Sequence, residues 1–280
     1  MEQNITVWLL VATNVLISYK GLTNEAFFEK YMFRIDSILL HKDYKRLITS
    51  GFLHGDWQHL IVNMITLVLF GRLMESVMGS ANFLLIYFSS LIAGDILSLF
   101  IHRNHGDYSA IGASGAVCGV MFSYIAMFPE AGVQSLIIPI PITSWVYGVL
   151  YVAYSIFSIK AERDNVGHDA HLGGALVGML VTIALAPYIL KENKVVISLI
   201  VIPTVVFIYL IVTRPHLLII DWKFLGSKSK QHNYTIEHRY NEEKVNRQEE
   251  IDRILDKIGN RGIDSLTTKE LEFLNENSKK

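Results

Sequence analysis

Apolar positions along the 280 residues run together in blocks, near residues 5–19, 59–78, 82–101, 112–128, 145–159, 169–190 and 195–213, with short polar or Pro/Gly-bearing connections between them. Crossing the hydrocarbon core of a bilayer takes about 20 apolar residues, fewer where other helices shelter the segment. Backbone donors and acceptors in lipid must be satisfied inside the segment, so each block predicts a helix and not a strand. The expected fold is all-α, a polytopic membrane helical bundle. Residues 5–17 have no basic stretch ahead of them and no A-x-A-like site after them, so this block reads as a retained membrane segment rather than a signal peptide.

The longest connection, residues 20–50, carries apolar clusters among its charges: Phe27, Phe28, Tyr31, Met32 and Phe33, then Ile38, Leu39 and Leu40. Those clusters need burial, so the connection is expected to be ordered and partly interfacial. From about Asp221 both charge signs become frequent, as in a soluble tail. Within the tail, Ile251, Ile254, Leu255 and Ile258 repeat at helical spacing before Gly259. Thr267 and Glu270 then form a capping box, with Leu266 and Leu271 as its hydrophobic staple. A small helical hairpin is expected there.

Composition agrees with a membrane solvent: 51% of residues are hydrophobic and the net charge is −1. With no strongly basic patch, nucleic acid is not an expected partner. The one cysteine, Cys118, cannot form an intramolecular disulfide, so cysteine usage says nothing of the redox compartment.

Three polar clusters interrupt the apolar blocks. His54, His59 and Asn63 open the second block, Gly112-Ala113-Ser114-Gly115 the fourth, and His168 with His171 the sixth. If every block crosses once, these three blocks run parallel and their N-terminal ends share one side of the membrane. Ionisable and polar groups inside membrane segments are costly and mark function. His59 and Asn63, four residues apart, present to one helix face. Ser114 stands between glycines where a helix begins, at unpaired N–H groups and the positive end of the dipole. Glycine lets another backbone approach. A serine hydroxyl needs a base, and a neutral imidazole suits that role. The chemistry expected is acyl transfer: Ser114 as nucleophile, His171 as general base, and the Ser114 N–H with His59 and Asn63 holding the oxyanion. No acidic residue is spaced as an obvious third member, although Asp169 and Asp95 are within consideration. Arg72 and Glu75 read as an interfacial pair or loop cap, and His54 as a residue that orders the loop near the site.

These residues resemble the rhomboid intramembrane serine proteases. The matching motifs are His54 and His59-Leu-Ile-Val-Asn63, then Gly71 with Glu75 and Gly79, then Gly112-Ala-Ser114-Gly115, then Ala170-His171 with Gly174 and Gly178. The resemblance runs from about Arg46 to Leu190. It implies a Ser114–His171 dyad with oxyanion stabilisation by His59 and Asn63, at the place where Gly112 and Gly115 already read as leaving room for a substrate backbone. It further implies transmembrane protein substrates in the lipid bilayer, and neither metal nor cofactor. Gly174 and Gly178 also stand on their own, because small-xxx-small spacing lets the fourth and sixth helices approach closely. The expected organisation is a rhomboid-like protease core over residues 1–190, an additional membrane helix over 191–220 and a soluble tail over 221–280, in a multi-pass protein of the cell membrane. Two departures stand out: Lys45-Arg46 where the family has Trp-Arg, and Cys118 four residues after the serine, where an aromatic is usual.

Other classes fit less well. A transporter or channel also uses intramembrane His, Asp and Asn, but would show inverted repeats. A zinc protease would want His-Glu-x-x-His. A catalytically silent helix-binding relative has no need to keep both Ser114 and His171. Taken alone, Ser114 with Gly115 and Gly119 would read as a helix-packing stripe. The resemblance implies a cytoplasmic N-terminus and a site opening away from the cytoplasm, whereas Lys and Arg concentrate in the connections after the first and fifth blocks, against that orientation.

Overall fold

The structure, a computed structural model, describes residues 5–133, 141–161, 167–213, and in the tail residues 253, 254, 257, 258, 266, 267 and 270. The residues 1–229 and 230–280 form two compact units.

The first unit is a membrane helical bundle. Helix α1 (Ile5–Thr23) is followed by short α2 (Glu25–Tyr31), α3 (Ile35–Leu39) and α4 (Arg46–Thr49), then by α5 (Trp57–Ile101), α6 (Ser114–Met127), α7 (Ser144–Ala161), α8 (His168–Leu185), short α9 (Ile189–Glu192) and α10 (Lys194–Thr213). Among the described residues, α1, α5, α8 and α10 are long and apolar enough to cross a membrane, and α6 and α7 are shorter apolar helices. Helix α5 contains two of the expected spans. It breaks at Gly79, whose φ of 76° and ψ of 157° suit glycine, while nothing lies within 4 Å of where a Cβ would stand. Backbone conformation, not crowding, asks for glycine there.

Helix α6 is the centre. Every residue from Gly115 to Ala126 except Tyr124 is buried, whereas outer helices keep large apolar side chains exposed, such as Leu16 on α1 (69%) and Tyr209 on α10 (61%). Such faces are stable only against lipid. Glycines let α8 lie directly on α6: a Cβ at Gly174 would collide with the Gly115 carbonyl, and one at Gly178 with the Gly119 carbonyl. Close backbone approach of this kind holds membrane helices together without a hydrophobic driving force.

Helix ends follow local chemistry. Phe128 precedes Pro129 and Ala186 precedes Pro187, and residues before proline are pushed out of the helical region, so α6 and α8 stop there. The sixth block therefore ends earlier than the expected residue 190. Asn193 Nδ2 donates to the Ala126 carbonyl (2.8 Å), one of the acceptors that the end of α6 leaves without an intrahelical donor. The N-terminus of α1 is capped from a distance. Glu75 accepts from the N–H groups of Thr6 and Val7, 3.0 Å each, and from Ser80 Oγ at 2.8 Å. Arg72 is exposed, and the hydrogen bonds of the Glu75 carboxylate go to the start of α1 and to Ser80.

The connection over residues 20–50 is ordered. Phe28, Met32, Phe33, Ile35 and Ile38 are buried, while Leu39 and Leu40 face outwards. Buried Arg46 ties it together, donating to the carbonyls of Glu29 (2.9 Å) and Met32 (2.6 Å) and to Asp43 Oδ2 (2.9 Å). Two small antiparallel ladders escape hydropathy altogether: β1 (Phe33–Arg34) pairs with β2 (Ser109–Ala110), and β3 (Gly132–Val133) with β4 (Ile142–Thr143).

In the second unit, residues 253, 254, 257, 258 and 270 are helical. The capping box is present: Thr267 N–H donates to Glu270 Oε2 (2.8 Å) and Glu270 N–H to Thr267 Oγ1 (3.3 Å), while Arg253 and Lys257 also reach the Glu270 carboxylate. Ile254 is buried. Ile251, Leu255, Gly259 and Leu271 lie outside the described residues.

Candidate active site

Three helix starts bring the polar clusters together. Asp56 caps α5, its side chain accepting from His59 N–H at 2.7 Å, which sets His59 in the first turn. Helix α6 begins at Ser114 with no side chain capping it. Helix α8 begins at His168, placing His171 in its first turn. Ser114 Oγ and His171 Nε2 lie 2.7 Å apart, within hydrogen-bond distance. His171 is 8% exposed and Ser114 half-buried, so the pair is sheltered but reachable.

The His59 ring packs on Gly112. A Cβ at that glycine would stand 2.8 Å from His59 Cε1 and 3.7 Å from Ser114 Oγ, and φ is +119°, so both space and conformation require glycine. Asn63 lies one turn further on and gives one amide hydrogen to the His59 carbonyl (3.0 Å), one of its two donors. Gly115 faces α8, its would-be Cβ 3.5 Å from the Ala170 carbonyl oxygen.

His54 holds the approach to Ser114. Ser18 Oγ donates to the Phe52 carbonyl (2.9 Å), so His54 Nδ1–H donates to Ser18 Oγ (2.8 Å), and the remaining Nε2 lone pair accepts from Ala113 N–H (3.4 Å). Burial pushes the His54 imidazole pKa down to about 3, keeping it neutral as this pattern requires.

The other nitrogen of His171 meets a residue that the sequence reading did not single out: Tyr151 Oη lies 3.0 Å from His171 Nδ1. Cys118 Sγ in turn lies 3.0 Å from Tyr151 Oη. The carboxylates under consideration point elsewhere. Asp169 Oδ2 accepts from Ser98 Oγ (2.6 Å) and faces His102 Nε2 (3.2 Å), and Asp95 Oδ2 accepts from Ser50 Oγ (2.9 Å). His168, the first residue of α8, is buried, its ring centroid 5.3 Å from that of Tyr154.

A family model described as the rhomboid domain matches residues 41–188, more than half of the chain. The chain belongs to the rhomboid family. A second model, described as a family of unknown function, matches residues 234–280. Among similar proteins, Rhomboid protein 1, mitochondrial, of Saccharomyces cerevisiae is 34% identical over 161 residues, 55% of this chain and 45% of its own length. RHOMBOID-like protein 12, mitochondrial, of Arabidopsis thaliana is 26% identical over 195 residues, 64% and 57% of the two chains. RHOMBOID-like protein 4 of Arabidopsis thaliana is 35% identical over 137 residues, 48% and 32%. The chain thus spans about half the length of the first two of these relatives.

Within this rhomboid bundle, Tyr151 had a readable signal. Tyr147, Tyr151 and Tyr154 line one face of the fifth block at helical spacing. A tyrosine hydroxyl inside a membrane helix needs a hydrogen-bond partner. Among the described residues, no group of three or more His, Cys, Asp or Glu side chains is placed to hold a metal ion.

Proposed function

We propose that this rhomboid is a serine endopeptidase that cleaves transmembrane segments of other membrane proteins through a Ser114–His171 dyad and an acyl-enzyme. The observation that carries the reading is the 2.7 Å contact between Ser114 Oγ and His171 Nε2. Ser114 Oγ attacks the scissile carbonyl carbon as its proton passes to His171 Nε2. The tetrahedral oxyanion rests near the Ser114 N–H at the uncapped start of α6, with His59 and Asn63 as the side-chain donors. As the C–N bond breaks, the imidazolium returns its proton to the leaving amine. Water, deprotonated by the same nitrogen, then attacks the ester carbonyl, and the imidazolium returns that proton to Ser114 Oγ as the acyl–oxygen bond breaks. Base catalysis is worth roughly 10²–10⁴-fold and each oxyanion donor about 10²–10³-fold, enough for a slow protease.

Ser114 reaches a carbonyl only in an extended stretch of chain, and Gly112 and Gly115 leave room for its backbone. The expected substrate is a single-span helix with small or helix-breaking residues at the cut. Purified protein in liposomes should cleave such a span, and Ser114→Ala should not. Cleavage by Ser114→Ala, or chelator-sensitive cleavage, would overturn the serine mechanism. We also propose the cell membrane as the site of action. Two of the three relatives described above carry "mitochondrial" in their names, and recovery of the protein in an organelle membrane would replace that location.

A further inference from the structure

We propose that Tyr151, held by Cys118, is the positioning residue that selects the reactive tautomer of His171; the inference rests on the dyad proposed above. A neutral imidazole carries one proton, on either Nδ1 or Nε2. With the proton on Nδ1, Nε2 presents its lone pair to the Ser114 hydroxyl, 2.7 Å away, and can take its hydrogen. With the proton on Nε2, Ser114 Oγ becomes an acceptor and the pair is inert. Whatever accepts from Nδ1 therefore decides which pair exists.

The atom at that position is Tyr151 Oη, at 3.0 Å. A phenol can donate or accept, so its own hydrogen must be directed elsewhere if it is to accept from Nδ1. Cys118 Sγ, 3.0 Å from the same oxygen, supplies the direction. Thiols are weak donors and a phenol is the stronger one, so the hydroxyl hydrogen goes to sulfur and the Tyr151 lone pairs face Nδ1. Phe122 walls the tyrosine ring edge-on at a centroid distance of 5.7 Å, which restricts its swing. The chain Cys118 Sγ, Tyr151 Oη, His171 Nδ1, His171 Nε2 and Ser114 Oγ joins α6, α7 and α8 and returns to α6. No carboxylate is needed, in keeping with Asp169 and Asp95 being turned away.

Cys118 stands four residues after Ser114, one helical turn along α6 and on the face that carries the nucleophile. A bulky ring there would occupy the space through which Tyr151 reaches from α7. The small thiol leaves that space open and supplies the acceptor.

The test combines kinetics with a spectroscopic readout that mere packing would not move. Tyr151→Phe keeps the ring and removes the acceptor. Removing one hydrogen bond of ordinary worth corresponds to roughly a tenfold fall in kcat, with KM unchanged because the substrate is not touched. Cys118→Val, which fills the site without an acceptor, should lower kcat in the same direction, and Cys118→Ser should restore it. In ¹⁵N spectra of histidine-labelled protein, with the His171 signals assigned by their loss in His171→Gln, the native chain should show a protonated Nδ1 and an unprotonated Nε2. Tyr151→Phe should move that balance towards Nε2–H. Unchanged tautomer signals in Tyr151→Phe would overturn the proposal, whether or not kcat falls. So would loss of kcat in Cys118→Ser equal to that in Cys118→Val. If the native protein cleaves nothing, the dyad reading fails on that result, while the nitrogen spectrum still decides the role of Tyr151.

Discussion

Gly174 and Gly115 lie backbone to backbone, so closely that a single methyl group on Gly174 would overlap the Gly115 carbonyl. Ser114 adjoins Gly115 and His171 lies about one turn before Gly174 on α8, so the hydrogen bond between them depends on this contact. The separation of α6 from α8 is therefore both a packing property and a property of the site. Gly174→Ala and Gly178→Ala should each lower stability by about 1–3 kcal/mol, the usual cost of overpacking, and slow cleavage at least tenfold. Gly132→Ala is the control, because its nearest neighbour would be Pro141 Cβ at 3.9 Å. Reversible unfolding in detergent and cleavage rates per folded molecule check both expectations.

Glu75 should matter for stability alone. It caps α1 from a point 16 residues beyond His59, roughly 24 Å along α5 at 1.5 Å per residue. Glu75→Ala removes the acceptor for two helix-start N–H groups, so unfolding free energy should fall by about 0.5–2 kcal/mol, with cleavage per folded molecule unchanged. A large loss of rate in protein that remains folded would show coupling to the site.

His54 gives a dependence on pH. Its pKa is near 6.5 unfolded and about 3 folded. Between those values the unfolded chain binds more protons, so stability rises with pH. The contribution is fully present above about 6.5 and is lost as pH falls towards 3, at no more than about 1.4 kcal/mol per pH unit. Protonation at Nε2 also removes the acceptor of Ala113 N–H, directly before Ser114. Melting temperature measured against pH should decline below 6.5 in the native chain, and less steeply in His54→Gln, which cannot titrate.

The fold was legible because lipid imposes a simple rule: blocks of apolar residues must be helices, and the observed helices follow them closely. The approach of Ser114 to His171 was legible for a related reason, since the starts of alternate spans fall on one side. Contacts fixed by rotation of a helix about its axis were not legible. Hydropathy says that α7 crosses, but not that Tyr151 turns towards His171 or that Glu75 reaches the start of α1. Nor does it register pairings as short as Phe33 with Ala110, which depend on where a loop returns. In the sequence Cys118 is only a departure from a pattern; its contact with Tyr151 Oη depends on how α7 is turned.

Orientation divides the two arguments drawn from sequence. On the family's arrangement, with seven crossings and a cytoplasmic N-terminus, the tail emerges away from the cytoplasm. A C-terminal tag should then be digested by protease added to intact cells. A protected tag would favour the arrangement that the positive charges suggest.

The most direct measurement of the central claim is the mass of the reconstituted protein after exposure to a fluorophosphonate, with the adduct located by peptide fragmentation. Activation of Ser114 by His171 requires one adduct, on Ser114, and its loss in His171→Ala even though the serine remains. No adduct in the native chain, or equal labelling in His171→Ala, would contradict it.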